Sequence, residues 1–254
     1  MKTLEAITEL VIGSKKLKLK LIVPADEVPV ESLLPTLHQL SDHIVDGVEE
    51  KAKKQDGVEI ACEKGCGACC RQHVPISPAE ARLMHAIVEN MSEPGRSAIR
   101  KRFDDAVQQL RDSSIMDQAL NYHRLPPEET KSMISEYFKL GIACPFLEDE
   151  SCSIHPFRPL ICREYLVISS PDHCASLDGE KIQRLKFPVS VASAFASMSE
   201  VGTEGENPYI PLIMALEWTE KNEEIVEFLP GPKWVQAFFE ELSGAAIPDP
   251  ESGI

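Results

Sequence analysis

Four cysteines fall within nine residues, Cys62-Glu63-Lys64-Gly65-Cys66-Gly67-Ala68-Cys69-Cys70. Thiols so spaced let one turn of chain present several sulfurs to a common centre, and Gly65 and Gly67 permit the positive φ angles and close backbone approach that such a knuckle needs. In extended chain the adjacent Cys69 and Cys70 point to opposite sides, so one of them is expected to serve a second site, or none. A second block supplies the other four thiols: Cys144-Pro145-Phe146-Leu147, Cys152-Ser153-Ile154-His155-Pro156, Arg158-Pro159-Leu160-Ile161-Cys162-Arg163, and last Cys174. Counting alone permits two four-cysteine sites, or one site drawing on both blocks with spare thiols for redox work or packing. Any one of the eight could be a buried free cysteine that fills space, but such density is not expected of filler throughout.

Four thiolates on one divalent ion make a doubly negative complex, which calls for cations or amides behind the ligands. Lys64 and Arg71 are candidates beside the first block. Arg158 and Arg163 flank Cys162 and could offset thiolate charge or pair with the abundant carboxylates. His155 could give a nitrogen to zinc or iron; with enough thiolates present, it is expected behind the ligands or in packing. His73 and His173, also beside cysteines, are weaker candidates still.

The elements that must position these thiols are mostly helical. Leu17, Leu19, Leu21 and Val23 alternate after the turn-like Gly13-Ser14, which predicts a β-hairpin over the first 23 residues. Leu33, Leu37, Leu40, Ile44 and Val48 predict an amphipathic helix ending near Asp56-Gly57. Ser77-Pro78-Ala79-Glu80 is a capping box opening a helix through Met84, Ile87, Val88 and Met91. Ile99, Phe103, Val107 and Leu110 mark another, and Met133, Ile134, Tyr137 and Phe138 a third behind Pro126-Pro127. From Cys144 to Cys174 periodicity disappears, leaving a long loop that a bound metal would organise. Helices return around Leu212, Ile213 and Leu216, and through Val235, Phe238, Phe239 and Leu242; the tail past Gly244 is expected to fray. No internal repeat or low-complexity linker is evident. The expected fold is mainly α with a small N-terminal β element, the helices surrounding a cysteine-rich loop region. Its parts are an N-terminal hairpin and helix (1–57), a cysteine-cluster metal-binding domain (58–175) and a C-terminal helical extension (176–254) packed into the same domain.

Composition narrows the function. With 41 acidic residues against 26 basic ones, net charge −15, the surface repels phosphate backbones and anionic lipid, so neither nucleic acid nor membrane is an expected partner. Glu5 and Glu9 interrupt the opening residues, so no signal-peptide core is read there, and no apolar run is long enough to span a bilayer. The chain is therefore expected in a reducing cytoplasm, where close-set cysteines hold metals or do redox chemistry more often than they form disulfides. Local motifs for a nucleophilic serine or a metalloprotease helix are missing.

Cys62 to Cys70, together with Cys144-Pro145-Phe146-Leu147, Cys152-Ser153-Ile154-His155, Arg158-Pro159 and Cys162-Arg163, resembles the YkgJ-like cysteine-cluster family, a zinc- or iron-chelating domain related to flagellin lysine N-methylase. The likeness covers roughly residues 58–175 and implies that the cysteines are the metal or cluster ligands. The methylase relatives imply a methyl-transfer role, although the strand and glycine-rich turn of ordinary methyltransferases are not seen here. The three-then-two spacing of Cys62, Cys66 and Cys69 also looks like the cluster motif of radical S-adenosylmethionine enzymes, but the repeated strands of their partial barrels are missing. The sequence reading is an iron-sulfur protein, its cluster of the four-iron kind, with a redox or protein-modification role and another protein as redox partner or substrate. The alternatives are a zinc-binding structural or interaction module and a lysine N-methylase-like enzyme.

Overall fold

A computed structural model of the chain describes residues 2–12, 15–177, 179–198, 209–222 and 227–244. Strands β1 (Thr3–Ile12) and β2 (Lys15–Pro24) pair antiparallel, Leu4 opposite Val23 and Leu10 opposite Leu17. This is the expected hairpin; its Gly13-Ser14 turn lies outside the described residues. A short strand β3 (Glu27–Pro29) follows, then α1 (Leu34–Asp56), which begins with a proline in its first turn and ends at Gly57, as its periodicity predicts. Leu34, Leu37, His38 and Leu40 bury the first half of α1, whereas the second half carries only a half-buried stripe at Ile44 and Val48.

After the first cysteine block, β4 (Pro75–Ile76) leads into α2 (Pro78–Glu89), α3 (Gly95–Arg111), α4 (Met116–Leu120) and α5 (Pro127–Lys139). The predicted capping box is present in full: the Ser77 hydroxyl accepts from the Glu80 amide and Glu80 accepts from the Ser77 amide. The segment from Cys144 to Cys174 is not one structureless loop. It holds β5 (Leu147–Glu148), β6 (Ser151–Cys152), α6 (Leu160–Glu164) and α7 (Pro171–Ala175), all too short to show a hydrophobic period. The chain closes with α8 (Val191–Met198), β7 (Ile210–Pro211), α9 (Ala215–Lys221), β8 (Phe228–Pro230) and α10 (Gly231–Gly244). The architecture is mainly α, with strands pairing only two by two among the described residues. The tail past Gly244 lies outside them.

Two apolar cores organise these helices. One gathers Met84 and Val88 of α2, Phe103, Val107 and Leu110 of α3, Met133 and Tyr137 of α5, and Leu212 to Leu216. The other gathers Leu21 and Val23 of β2, Leu33, Leu34 and Leu37, Phe195 of α8, and Trp234 and Phe238 of α10. Early and late elements of the described residues meet in the second core: β3 pairs with β8, and the Trp234 indole donates to the Val28 carbonyl at 2.8 Å. The second cysteine block bridges the two cores, for Cys144 and Cys152 pack on the first while Leu160 and Ile161 of α6 belong to the second. Apolar burial on both sides thus holds otherwise irregular chain in place. No helix of the described residues is long and apolar enough to cross a membrane.

Candidate metal centre

The first block is a succession of tight turns. The Cys66 amide donates to Glu63 O at 3.1 Å and the Cys70 amide to Gly67 O at 3.1 Å, and residues Ala68–Arg71 form one 3-10 turn. The two glycines divide the work expected of them. Gly65 has φ +96°, where a side chain is strained, and faces open space. Gly67 has ordinary φ but admits a close approach: a Cβ there would stand 2.5 Å from Glu150 Oε2 and 2.8 Å from Leu147 Cδ1. Cys69 and Cys70 are not in extended chain, so the expected opposition of their side chains does not arise. On the 3-10 turn their thiols are neighbours and hydrogen-bond each other.

The second block folds onto the first through the backbone. The Cys144 amide donates to Cys70 O at 2.7 Å, and the Ala61 amide to Val167 O at 2.8 Å. Helix α7, which carries Cys174, packs on the 68–71 turn. Amides also address the sulfurs. Val167 N–H donates to Cys62 Sγ at 3.3 Å, and the amides of Phe146 and Ile154 donate to the thiols of Cys144 and Cys152. A sulfur that accepts from amides is better suited to be a thiolate than a thiol, and this is the second layer a thiolate-bound metal needs.

Residues 61–181 match the CxxCxxCC family model, described as a "putative zinc- or iron-chelating domain". The matched stretch is just under half of the chain and takes in all eight cysteines. It is the cysteine-cluster resemblance read from the motifs. The chain carries the CxxCxxCC pattern with one extra residue in the first interval, between Cys62 and Cys66, where Gly65 makes its turn. No curated protein and no solved structure matched the chain.

Within this CxxCxxCC segment the thiols lie within electrostatic reach of one another, and six of them resist ionising alone. The Cys69 thiol is pushed far up, first by its bond to Cys70 and then by desolvation. Desolvation, then the neighbouring thiolates, raises Cys144 to about 12 and Cys162 well above its usual range. Cys62, Cys152 and Cys174 are raised too, desolvation again leading. The couplings define two overlapping groups. Cys174 feels Cys62, Cys66 and Cys69, whereas Cys162 feels Cys144, Cys69 and Cys152. Cys69 is common to both. Among the described residues no three His, Cys, Asp or Glu side chains already converge as a group that could hold an ion. The donor set nonetheless fits a cation: crowded thiols that cannot share negative charge alone, with amides aimed at three of them.

The charged neighbours of the CxxCxxCC cysteines separate into roles. Arg158 opposes, as a smaller influence, the desolvation that raises the thiols of Cys62 and Cys152 and the hydrogen bond and desolvation that raise Cys69, and its buried Nε has no hydrogen-bond partner among the described residues. Arg163, buried, is instead consumed by structure: it donates to Asp42 Oδ1 at 2.6 Å, to Arg158 O at 3.2 Å and to Pro156 O. Arg71 forks onto Glu150 at 2.9 and 2.6 Å, joining the two blocks, while Lys64 is exposed. His73 turns away from the sulfurs; its ring packs against Tyr122 and Tyr137, and Nε2 lies 3.1 Å from Ala119 O. His155 is exposed and its pKa is lowered, by desolvation and then by Arg158 and Arg163; His173 is half-buried in α7. Sequence reasoning missed Glu80 as a part of the site. Beyond capping α2 it accepts from the Leu160 amide at 2.8 Å, which seats the helix that carries Cys162.

Proposed function

We propose that the chain is a metal-binding protein carrying iron-sulfur chemistry on its cysteines. The observation that carries this reading is an amide addressed to sulfur where the two blocks join: the Val167 amide donates to Cys62 Sγ at 3.3 Å while the Cys144 amide donates to Cys70 O at 2.7 Å, and hydrogen bonds to the sulfurs are among the features that tune an iron-sulfur cluster. Its four thiolate ligands, and those of any second centre, would be drawn from Cys62, Cys66, Cys69, Cys70, Cys144, Cys152, Cys162 and Cys174. A four-iron cluster bound there supplies one-electron chemistry. The protein's part is to keep the thiolates ionised, with Arg158 and the amides of Phe146, Ile154 and Val167, and to limit their contact with water.

The role that follows is electron delivery or support of a protein modification, with another protein as partner, and the acidic surface favours a basic face on it. Zinc is the second reading. It is favoured by the very short elements between Cys144 and Cys174, which a purely structural ion would serve to order. Anaerobic purification followed by iron, zinc and acid-labile sulfide analysis separates the two. Iron with matching sulfide and a brown chromophore bleached by reductant is the expected result; colourless protein with zinc and no sulfide would overturn it in favour of the zinc module.

A further inference from the structure

The two cysteine blocks meet along one edge at the tip of the β5–β6 hairpin. Asp149 and Glu150 turn this hairpin with φ of 47° and 55°, a left-handed conformation that non-glycine residues adopt at a cost. The tip rests on Gly67, the only residue type that would let Glu150 and Leu147 come so near. A forked ion pair at the surface, Arg71 to both Glu150 oxygens, holds it down. Cys144 lies at the base of the hairpin and Cys152 on its second strand. Arg102 steadies that base by donating to Pro145 O and Glu148. On the far side lies an open cavity of about 390 Å³, bounded by Met91, Ser92, Ala98, Ile99, Glu148 and Ser153. The hairpin therefore stands between partly buried thiols and free space, with its strained end fastened by an exposed pair.

We propose that the β5–β6 hairpin is a hinged flap, latched by Arg71 and Glu150 and able to swing back into the cavity, so that the latch sets how fast the cysteines exchange with their surroundings. The inference deepens the metal-binding reading, since a centre held by thiols from both blocks enters before the blocks close. Its test does not require metal. In the metal-free, reduced full-length chain, iodoacetamide labelling of each cysteine is followed by peptide mass spectrometry. Glu150→Gln keeps the backbone and removes the latch charge; Cys144 and Cys152 are expected to label about two- to fivefold faster, the range set by an exposed forked pair. Cys174, in α7, should keep its rate. Ala98→Leu fills the cavity from an exposed helix position and is expected to slow Cys144 and Cys152 instead.

Unchanged rates in both variants would overturn the flap. So would equal acceleration of all eight cysteines, the mark of general loosening. The metal reading is judged separately, by iron and zinc content: a chain that holds neither fails that reading while the labelling rates still decide the flap.

Discussion

His73 follows the paired cysteines closely, yet the structure makes it a titrating core residue, and its removal should reshape the acid stability of the protein. Burial lowers its pKa to about 4 from an ordinary 6.5. Between those values the unfolded chain binds the proton and the folded chain does not, so stability is complete above pH 6.5 and drains away as pH falls through the window toward about 4. Each pH unit is worth about 1.4 kcal/mol, which makes the whole loss about 3 kcal/mol. His73→Phe keeps a ring against Tyr122 and Tyr137 but leaves the Ala119 carbonyl without its donor, a cost of about 1–2 kcal/mol at neutral pH. The variant should therefore be the less stable protein at about pH 7.5 and the more stable one at about pH 4.5, the curves crossing between about pH 5 and about pH 5.8. Urea unfolding followed by circular dichroism gives both curves, on metal-free reduced protein so that ligand protonation plays no part. His38, also lowered to about 4, is present in both proteins and cancels. Parallel curves would refute the argument, because they would mean that His73 titrates alike folded and unfolded.

Three further outcomes are expected. Arg163→Met removes a buried donor to Asp42, Arg158 O and Pro156 O and should destabilise the fold by about 3 kcal/mol in urea; an unchanged midpoint would contradict its structural assignment. Arg158→Gln should leave that midpoint near wild type yet weaken metal retention about 10–100-fold in competition with a chelator, the usual range for a residue behind the ligands, and equal retention would return Arg158 to the solvent. Gly65→Ala puts a side chain at φ +96° and should cost about 1–2 kcal/mol through the backbone alone, since open space surrounds it; a stability equal to wild type would show that the turn relaxes without loss.

What the sequence disclosed of the fold follows from element length. The helices led by Leu33 to Val48, by Ser77-Pro78-Ala79-Glu80 and by Ile99 to Leu110 announce themselves because several turns repeat one apolar face and their caps are local. Helix α6, a single turn and a half, has no room for a period, and its start is fixed by Glu80, eighty residues earlier. Helix α8 gives no sequence signal for a different reason. Val191, Ala192, Ala194, Phe195, Ala196 and Met198 are buried, so burial all round erases the amphipathic contrast that reveals a surface helix. Its N-terminus is capped by Glu164, whose carboxylate accepts from Ser190 Oγ and the Val191 amide at 2.7 Å each. No residue within the helix carries that signal.

The centre shows the same division between local and distant causes. Cysteine spacing exposes the thiols, and the glycines between them tell that the chain turns sharply, but spacing cannot say which sulfurs meet. That depends on the Cys144 amide reaching Cys70 O and the Val167 amide reaching Cys62 Sγ, contacts that span 74 and 105 residues of chain. It also cannot tell Arg158 from Arg163, two like side chains on either side of Cys162. What separates them is Asp42, one exposed carboxylate on α1 that lies within reach of Arg163 because α1 packs against α6. With Arg163 so engaged, Arg158 is the arginine whose charge acts on the thiols of Cys62, Cys69 and Cys152. The charge balance of the centre is thus decided from a helix that contains none of its cysteines, and Asp42→Asn should accordingly disturb metal retention less than Arg158→Gln while lowering stability more.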